Sequence, residues 1–276
     1  MAASTRPRRG PITWLREHVI AIAAVLALLY MFLPIFVVIL FSFNDPVGRF
    51  NYQINWDSFP SFAAWTDPCG IAGMCESVGL SLQIGFLATL VAVVLGTLVA
   101  FALARHRFRG RAATNLLIFM PMATPEVVMG SSLLALFVNI TFVPLGFWTI
   151  TIAHIMFCLS FVVVTVKARV AGLDPRLEQA AMDLYANEST TFWKITFPLV
   201  LPGIVSAALL AFSLSFDDFI ISNFNSGSTV TFPIFVWGAA QRGVPVQVNV
   251  VGTAMFLIAL LLVVGGQLIR RRRAAT

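Results

Sequence analysis

Charge is scarce in this 276-residue chain, and lysine is the scarcest of it. Asp, Glu, Lys and Arg make up 11% of the residues against 59% hydrophobic ones, a balance far outside that of soluble domains. The two lysines, Lys167 and Lys194, follow Val166 and Trp193, so there is no Gly-Lys pair and no P-loop. Neither G-x-S-x-G nor H-E-x-x-H occurs, which removes nucleophile-elbow hydrolases and zincins. Cysteine appears three times, at Cys69, Cys75 and Cys158, without the clustering of a zinc site. His154 and Cys158 share a helical face, but two ligands do not hold a metal, and an interhelical hydrogen bond is the simpler use of His154. Nucleic acid is also excluded as a partner. The net charge of +6 comes almost wholly from arginines that flank apolar runs, where membrane topology uses them.

Long apolar runs are what the chain has in abundance. From His18 to Phe43, and again from Ser77 to Ala104, no Asp, Glu, Lys or Arg occurs. The first run is too long for a signal-peptide core and lacks a small-residue cleavage site after it, so it reads as an uncleaved span. Residues 112–166 are too long for one crossing and break at 139–146, where Asn, Thr, Pro and Gly cluster. The sequence therefore predicts an all-α integral membrane protein with six transmembrane helices at about 18–43, 77–104, 112–138, 143–166, 198–221 and 247–269. Basic tails at 1–17 and 270–276 flank this domain, and a polar loop at 170–197 interrupts it. With the N-terminus inside, sixteen of the eighteen basic residues fall on the inner side, leaving only Arg49 and Arg242 outside. The positive-inside bias thus predicts a multi-pass protein of a prokaryotic plasma membrane with both termini cytoplasmic.

Two groups of residues depart from this plain pattern. In the cytoplasmic interval, Leu177, Ala180, Ala181, Leu184 and Tyr185 recur at helical spacing, while Arg176, Glu178, Gln179, Met182 and Asp183 occupy the other face. Asp174 and Pro175 give this helix an N-cap and a first-position proline. Such a helix either lies on the bilayer or docks a soluble partner. Within the spans, Glu126, Asp217 and Asp218 are carboxylates in apolar surroundings, each costing about 2.5–3.5 kcal/mol at mid-bilayer. Reckoned along straight helices, Glu126 and Asp217 lie about 21 and 22 Å from the inner ends of their spans. They either line a cavity for a cationic substrate or mark a frayed helix end. Pro121 and Pro125 loosen the helix beside Glu126. Cys69 and Cys75, in the outer loop, are either bridged or free.

Residues 178–202, EQAAMDLYANESTTFWKITFPLVLP, resemble the EAA loop of ABC-importer permeases. That loop reads Glu-Ala-Ala, three residues, Gly, then nine residues before I-x-L-P. Gln179, Ala180 and Ala181 stand in its first three places, Tyr185 in the Gly place, and Ile195–Thr196–Phe197–Pro198 at its end. With RFRG at 107–110, PEVVM at 125–129, the segment 147–166 and SLSFDDFIISNF at 213–224, the chain is similar to the C-type subunits of spermidine/putrescine permeases. The resemblance implies the type I ABC importer (MetI-like) fold and a permease without catalytic residues of its own. It implies four associations: a homologous B-type permease chain, an ATPase dimer on the cytoplasmic side, an extracytoplasmic substrate-binding protein and the lipid bilayer. No cofactor belongs to this chain; ATP and Mg belong to the ATPase. By the same resemblance Glu126, Asp217, Asp218, Trp65 and Ser215 handle substrate, and Glu178, Gln179, Ala180, Ala181, Asp183, Leu184 and Tyr185 couple to the ATPase. Two departures stand out. Gln179 replaces the motif Glu, and Tyr185 replaces the Gly that permits a turn, so either the ATPase pocket is altered or the turn moves to Asn187. Importers of other cations or small solutes, and secondary carriers using the acids as relays, are the competing readings.

Overall fold

The structure is a computed structural model that describes residues 11–48, 51–139 and 143–275, with side chains from 18 to 266. The tail residues Arg6, Arg8 and Arg9, loop residue Arg49 and the middle of the break expected at 139–146 lie outside the described residues. In chain order the helices are α1 (Pro11–Phe41), α2 (Ala63–Thr66), α3 (Met74–Arg105), α4 (Arg111–Ala123), α5 (Glu126–Asn139) and α6 (Phe147–Ala171). They continue with α7 (Arg176–Asp183), α8 (Glu188–Thr191), α9 (Phe197–Phe216), α10 (Ile220–Asn225), α11 (Phe232–Arg242) and α12 (Val246–Ala275). No strand occurs among the described residues. Five stretches are long and apolar enough to cross a membrane, and the pair α4–α5 makes a sixth if counted as one.

The chain divides into two compact units, one of residues 1–72 and 239–276, the other of residues 73–238. In the first, α1 packs along α12, with Gly252 beside Val38. The loop after α1 is tied by asparagines. Asn44 Nδ2 donates to the carbonyl of Gln53 (2.8 Å), Asn44 Oδ1 accepts from the Asn55 amide (2.9 Å), and Asn55 Nδ2 donates to the Asp45 carbonyl (2.9 Å).

The second unit is built on α3, α6 and α9. Along α3, Ala88, Ala92, Gly96 and Ala100 recur every four residues, all buried. A Cβ on Gly96 would lie 2.6 Å from Val162 Cγ1 of α6, so the absence of a side chain sets how near the two helices come. Helices in lipid gain little from hiding apolar surface from one another; close backbone approach and dispersion hold them instead, which small residues permit. Val162, Val163, Val166 and Val170 of α6 and Val200, Ile204, Ala207 and Ala211 of α9 complete this seam.

Prolines explain two departures from straight spans. The expected third span at 112–138 is two helices that meet at 107°. Thr124, the residue before Pro125, is extended (φ −82°, ψ 132°), as the ring of a following proline requires. Before α9, residues 192–196 widen into a π-turn in which the Phe197 amide donates to the Phe192 carbonyl. Pro198 has no amide to give the Lys194 carbonyl and crowds it, so the wider register relieves the clash. The fifth expected span, 198–221, is likewise not continuous: α9 stops at Phe216 and the chain is non-helical until Ile220.

Candidate functional site

Both groups singled out in the sequence fall in the second unit, at two bends of the chain. The first bend is an elbow formed by α7, residues 184–187 and α8. Asp174 Oδ1 accepts from the Arg176 amide (2.9 Å), and Pro175 already has helical angles, so this helix begins as its sequence suggests. It ends in a reciprocal pair of backbone bonds: the Tyr185 amide donates to Met182 O (2.9 Å) and the Ala186 amide to Ala181 O (3.1 Å). This Schellman arrangement places Tyr185 at the left-handed position, φ 63°. The turn therefore stays where the family's glycine would be. Asn187 is extended instead (φ −76°, ψ 167°) and caps α8 by accepting from the Thr190 amide at 2.8 Å. A tyrosine in this conformation costs about 1–2 kcal/mol more than glycine.

Most of both faces of α7 is open. Tyr185 is fully exposed and Leu184 is 81% exposed, and Leu177, Gln179, Ala180, Met182 and Asp183 also face outward. Glu178, placed above on the face opposite the apolar stripe, turns inward with Ala181. Its Oε1 accepts from Arg105 Nη2 at the end of α3 (2.7 Å) and from Thr196 Oγ1 of the π-turn (2.7 Å). The Arg105 guanidinium and the Thr196 hydroxyl draw Glu178 inward, into an ion pair about three-quarters buried. Between α3, the elbow and the start of α9 lies a groove of about 810 Å³, lined mainly by Leu98, Phe101, Met182, Phe192, Trp193 and Phe197.

The second bend is the corner at residues 217–219 between α9 and α10. Here the structure separates two neighbours. Asp217 is exposed, whereas Asp218 is 9% exposed and faces His154 of α6. Asp218 Oδ2 lies 3.3 Å from His154 Nε2 and accepts from the Ser222 amide (2.8 Å), while Oδ1 accepts from the Ile221 amide (3.3 Å). Asp218 is thus the capping residue of α10, not an open ligand, and the corner is not a frayed end. Ser215, the weaker substrate candidate, is also buried, with Oγ 2.7 Å from His154 Nδ1. The spacing 215, 218, 222 placed these three groups on one helical face, a signal that sequence reasoning passed over. Asn225 extends the polar seam: its carbonyl accepts from Thr149 Oγ1 of α6 (2.7 Å).

Glu126 is exposed and opens α5 directly after the 107° bend, so the straight-helix depth assigned to it does not apply beyond the break. One turn on, a Cβ at Gly130 would meet Phe224 at 2.9 Å, which shows how tightly α5 lies on α10. Glu126 therefore stands just after one break and Asp217 at the start of another, and the helices that follow, α5 and α10, pack together. Trp65 belongs to the other unit, half-buried and stacked on Phe43 at 5.5 Å between ring centroids. Cys69 and Cys75 are disulfide-bonded; Cys158 is buried and its thiol donates to the Ala211 carbonyl at 3.3 Å. Among the described residues no three His, Cys, Asp or Glu side chains group as metal ligands. Nothing at either bend suits covalent chemistry. One bend presents exposed apolar side chains, and the other an exposed carboxylate beside a closed polar cluster.

Residues 92–272 match the family described as binding-protein-dependent transport system inner membrane component. Over 244 residues the chain is 38% identical to the spermidine/putrescine transport system permease protein PotC of Haemophilus influenzae, covering 88% of this chain and 93% of that one. Over 231 residues it is 35% identical to the putrescine transport system permease protein PotI of Escherichia coli, covering 81% and 80%. Among solved structures, a chain of a bacterial ABC transporter that imports the acidic polysaccharide alginate is similar in fold, with a TM-score of 0.64 at 16% identity over 96% of this chain and 99% of that one.

Proposed function

The chain belongs to the family of binding-protein-dependent transport system inner membrane components, and on that premise we propose that it carries polyamines inward as a permease subunit of an ABC importer. It is a multi-pass transport protein of the inner membrane, not an enzyme. The substrate class is supported by its relatives and, in its own geometry, by the exposed carboxylates Glu126 and Asp217 at breaks in otherwise uncharged helical segments. A polyamine carries ammonium groups at intervals, and spaced carboxylates match it in a medium where each charge is poorly screened. No Lys or Arg interrupts the expected spans, which disfavours anionic substrates.

In this reading the elbow of α7 and α8 faces the cytoplasm, as do both termini. Leu184 and Tyr185 are the apolar side chains that enter a partner ATPase, and Glu178 transmits the push into α3 and α9. ATP and Mg are bound by that ATPase. A second permease chain of the same family completes the pathway, and a binding protein on the outer side delivers substrate. The test is reconstitution of the whole complex in proteoliposomes with labelled spermidine. Loaded binding protein raises ATPase activity, and Glu126→Gln and Asp217→Asn each lower uptake about fivefold, the scale of one screened charge pair. Normal uptake in both variants removes the acids from the pathway. Uptake that survives ATP depletion but collapses with the membrane potential makes the chain a secondary carrier instead.

A further inference from the structure

We infer that His154 is a positioning residue for substrate passage, a ring that staples the α9–α10 corner from both sides so that Asp217, and not Asp218, is the carboxylate offered to the polycation. This rests on the polyamine reading above and concerns a residue to which that reading gives no role. The ring sits on α6, 1% exposed, and cannot touch a substrate itself. Its two nitrogens reach opposite flanks of the break. Nδ1 meets Ser215 Oγ at 2.7 Å, before the corner, and Nε2 meets Asp218 Oδ2 at 3.3 Å, within it, and Ser222 Oγ at 3.1 Å, after it. An ionised Asp218 takes the Nε2 proton, and the tautomer this selects leaves Nδ1 to accept from Ser215.

The arrangement fixes direction as well as position. The last bond of α9 runs from the Asp217 amide to the Ser213 carbonyl (3.2 Å), the chain is then non-helical until Ile220, and α10 is only six residues long, too short to hold itself. What orients the corner is the side-chain cluster, and it is fully engaged: Asp218 accepts from two backbone amides and faces the ring, and both serines are paired with it. A buried polar cluster with every member satisfied is rigid; with one member lost it becomes a liability. With Asp218 drawn inward to α6, the side chain of its neighbour Asp217 is left exposed. Removing the ring frees the corner to turn, and the two acids lose their division of labour.

The experiment is a double-mutant cycle in the reconstituted complex, reading labelled spermidine uptake, ATPase stimulation and the thermal melting of the assembled transporter. Asp217→Asn lowers uptake about fivefold, the scale of one screened charge pair. His154→Leu lowers it to the same extent, and the double variant is no worse than Asp217→Asn alone, because the ring acts through that carboxylate. His154→Gln, whose amide nitrogen stands near the place of Nε2, restores most of the uptake; His154→Asn, which reaches only toward Ser215, does not. Multiplied losses in the double variant, or uptake that falls only in step with melting temperature across the series, overturn the staple and reduce His154 to packing. If His154→Leu does not assemble, the Gln and Asn variants decide: equal uptake in both overturns the proposal. Unchanged uptake in Asp217→Asn overturns the polyamine role of the acids instead, a result the cycle separates from failure of the staple.

Discussion

The elbow at residues 184–187 and the corner at residues 217–219 are both places where a helix stops and another starts at once, yet they are built on opposite plans. At the elbow the paired backbone bonds from Tyr185 and Ala186 make the turn, with the Asn187 side chain capping the next helix, and Leu184 and Tyr185 point away from the protein. At the corner backbone bonds flank the break, from the Asp217 amide to Ser213 O and from the Asn223 amide to Phe219 O, and buried side chains of Ser215, Asp218 and Ser222 converge on His154 of α6 to hold the turn between them. The difference follows from what each bend presents. On the proposed function the elbow is a docking surface and is left bare, so its shape is written largely into the main chain. A lone exposed carboxylate beside a lipid-bound core needs a rigid mount, so its shape is written into a buried cluster.

Substitutions can break this contrast or sharpen it. The largest effect should come from the seam common to both bends: Gly96→Leu drives a side chain into Val162, where even a Cβ would stand at 2.6 Å. Overpacking of this kind costs about 1–3 kcal/mol and more where backbone is the obstacle, so the assembled complex should melt early and lose uptake and ATPase stimulation together. Next comes the tie from the elbow to α3 and the start of α9. Glu178→Ala leaves Arg105 and Thr196 without their shared acceptor, a loss of about 2 kcal/mol. Stimulated ATPase activity should persist while spermidine moved per ATP falls; if both fall equally, Glu178 serves folding and not transmission. Leu184→Asp should weaken ATPase association about tenfold in a pull-down, with the melting of the chain's own helices unchanged, because an 81%-exposed side chain supports nothing internal. The smallest effect belongs to Tyr185→Gly. It relieves about 1 kcal/mol of left-handed strain and returns about as much in backbone entropy, so stability should scarcely move. Any loss of ATPase binding in that variant then measures the ring itself.

Much of the fold was legible because membrane spans announce themselves by uncharged length. The position of the elbow was legible too, down to the capping role of Asp174. What the sequence hid was orientation. Glu178 reads as a surface acid on a helical wheel, and Arg105, seventy-three residues earlier, turns it inward together with Thr196. Asp217 and Asp218 are chemically identical neighbours, and the choice between them lies with His154 on another helix. The 107° bend was foreshadowed by Pro121 and Pro125, but a proline states that a helix will break and not by how much. The repeat Ala88, Ala92, Gly96, Ala100 was fully visible and is the signal for close helix packing in lipid; a reading that weighs hydrophobicity alone passes over residues whose contribution is to be small.

The state of the three cysteines has a practical consequence. Two are joined in a disulfide and the third lies buried with its thiol turned to a carbonyl, so the native chain presents no accessible thiol to a maleimide or a spin-label reagent. A single cysteine introduced at Leu184, or at the exposed Asn223 just after the corner, would therefore be the sole attachment point for a probe. Distances and accessibility at either bend can be followed through a transport cycle without first rebuilding the protein.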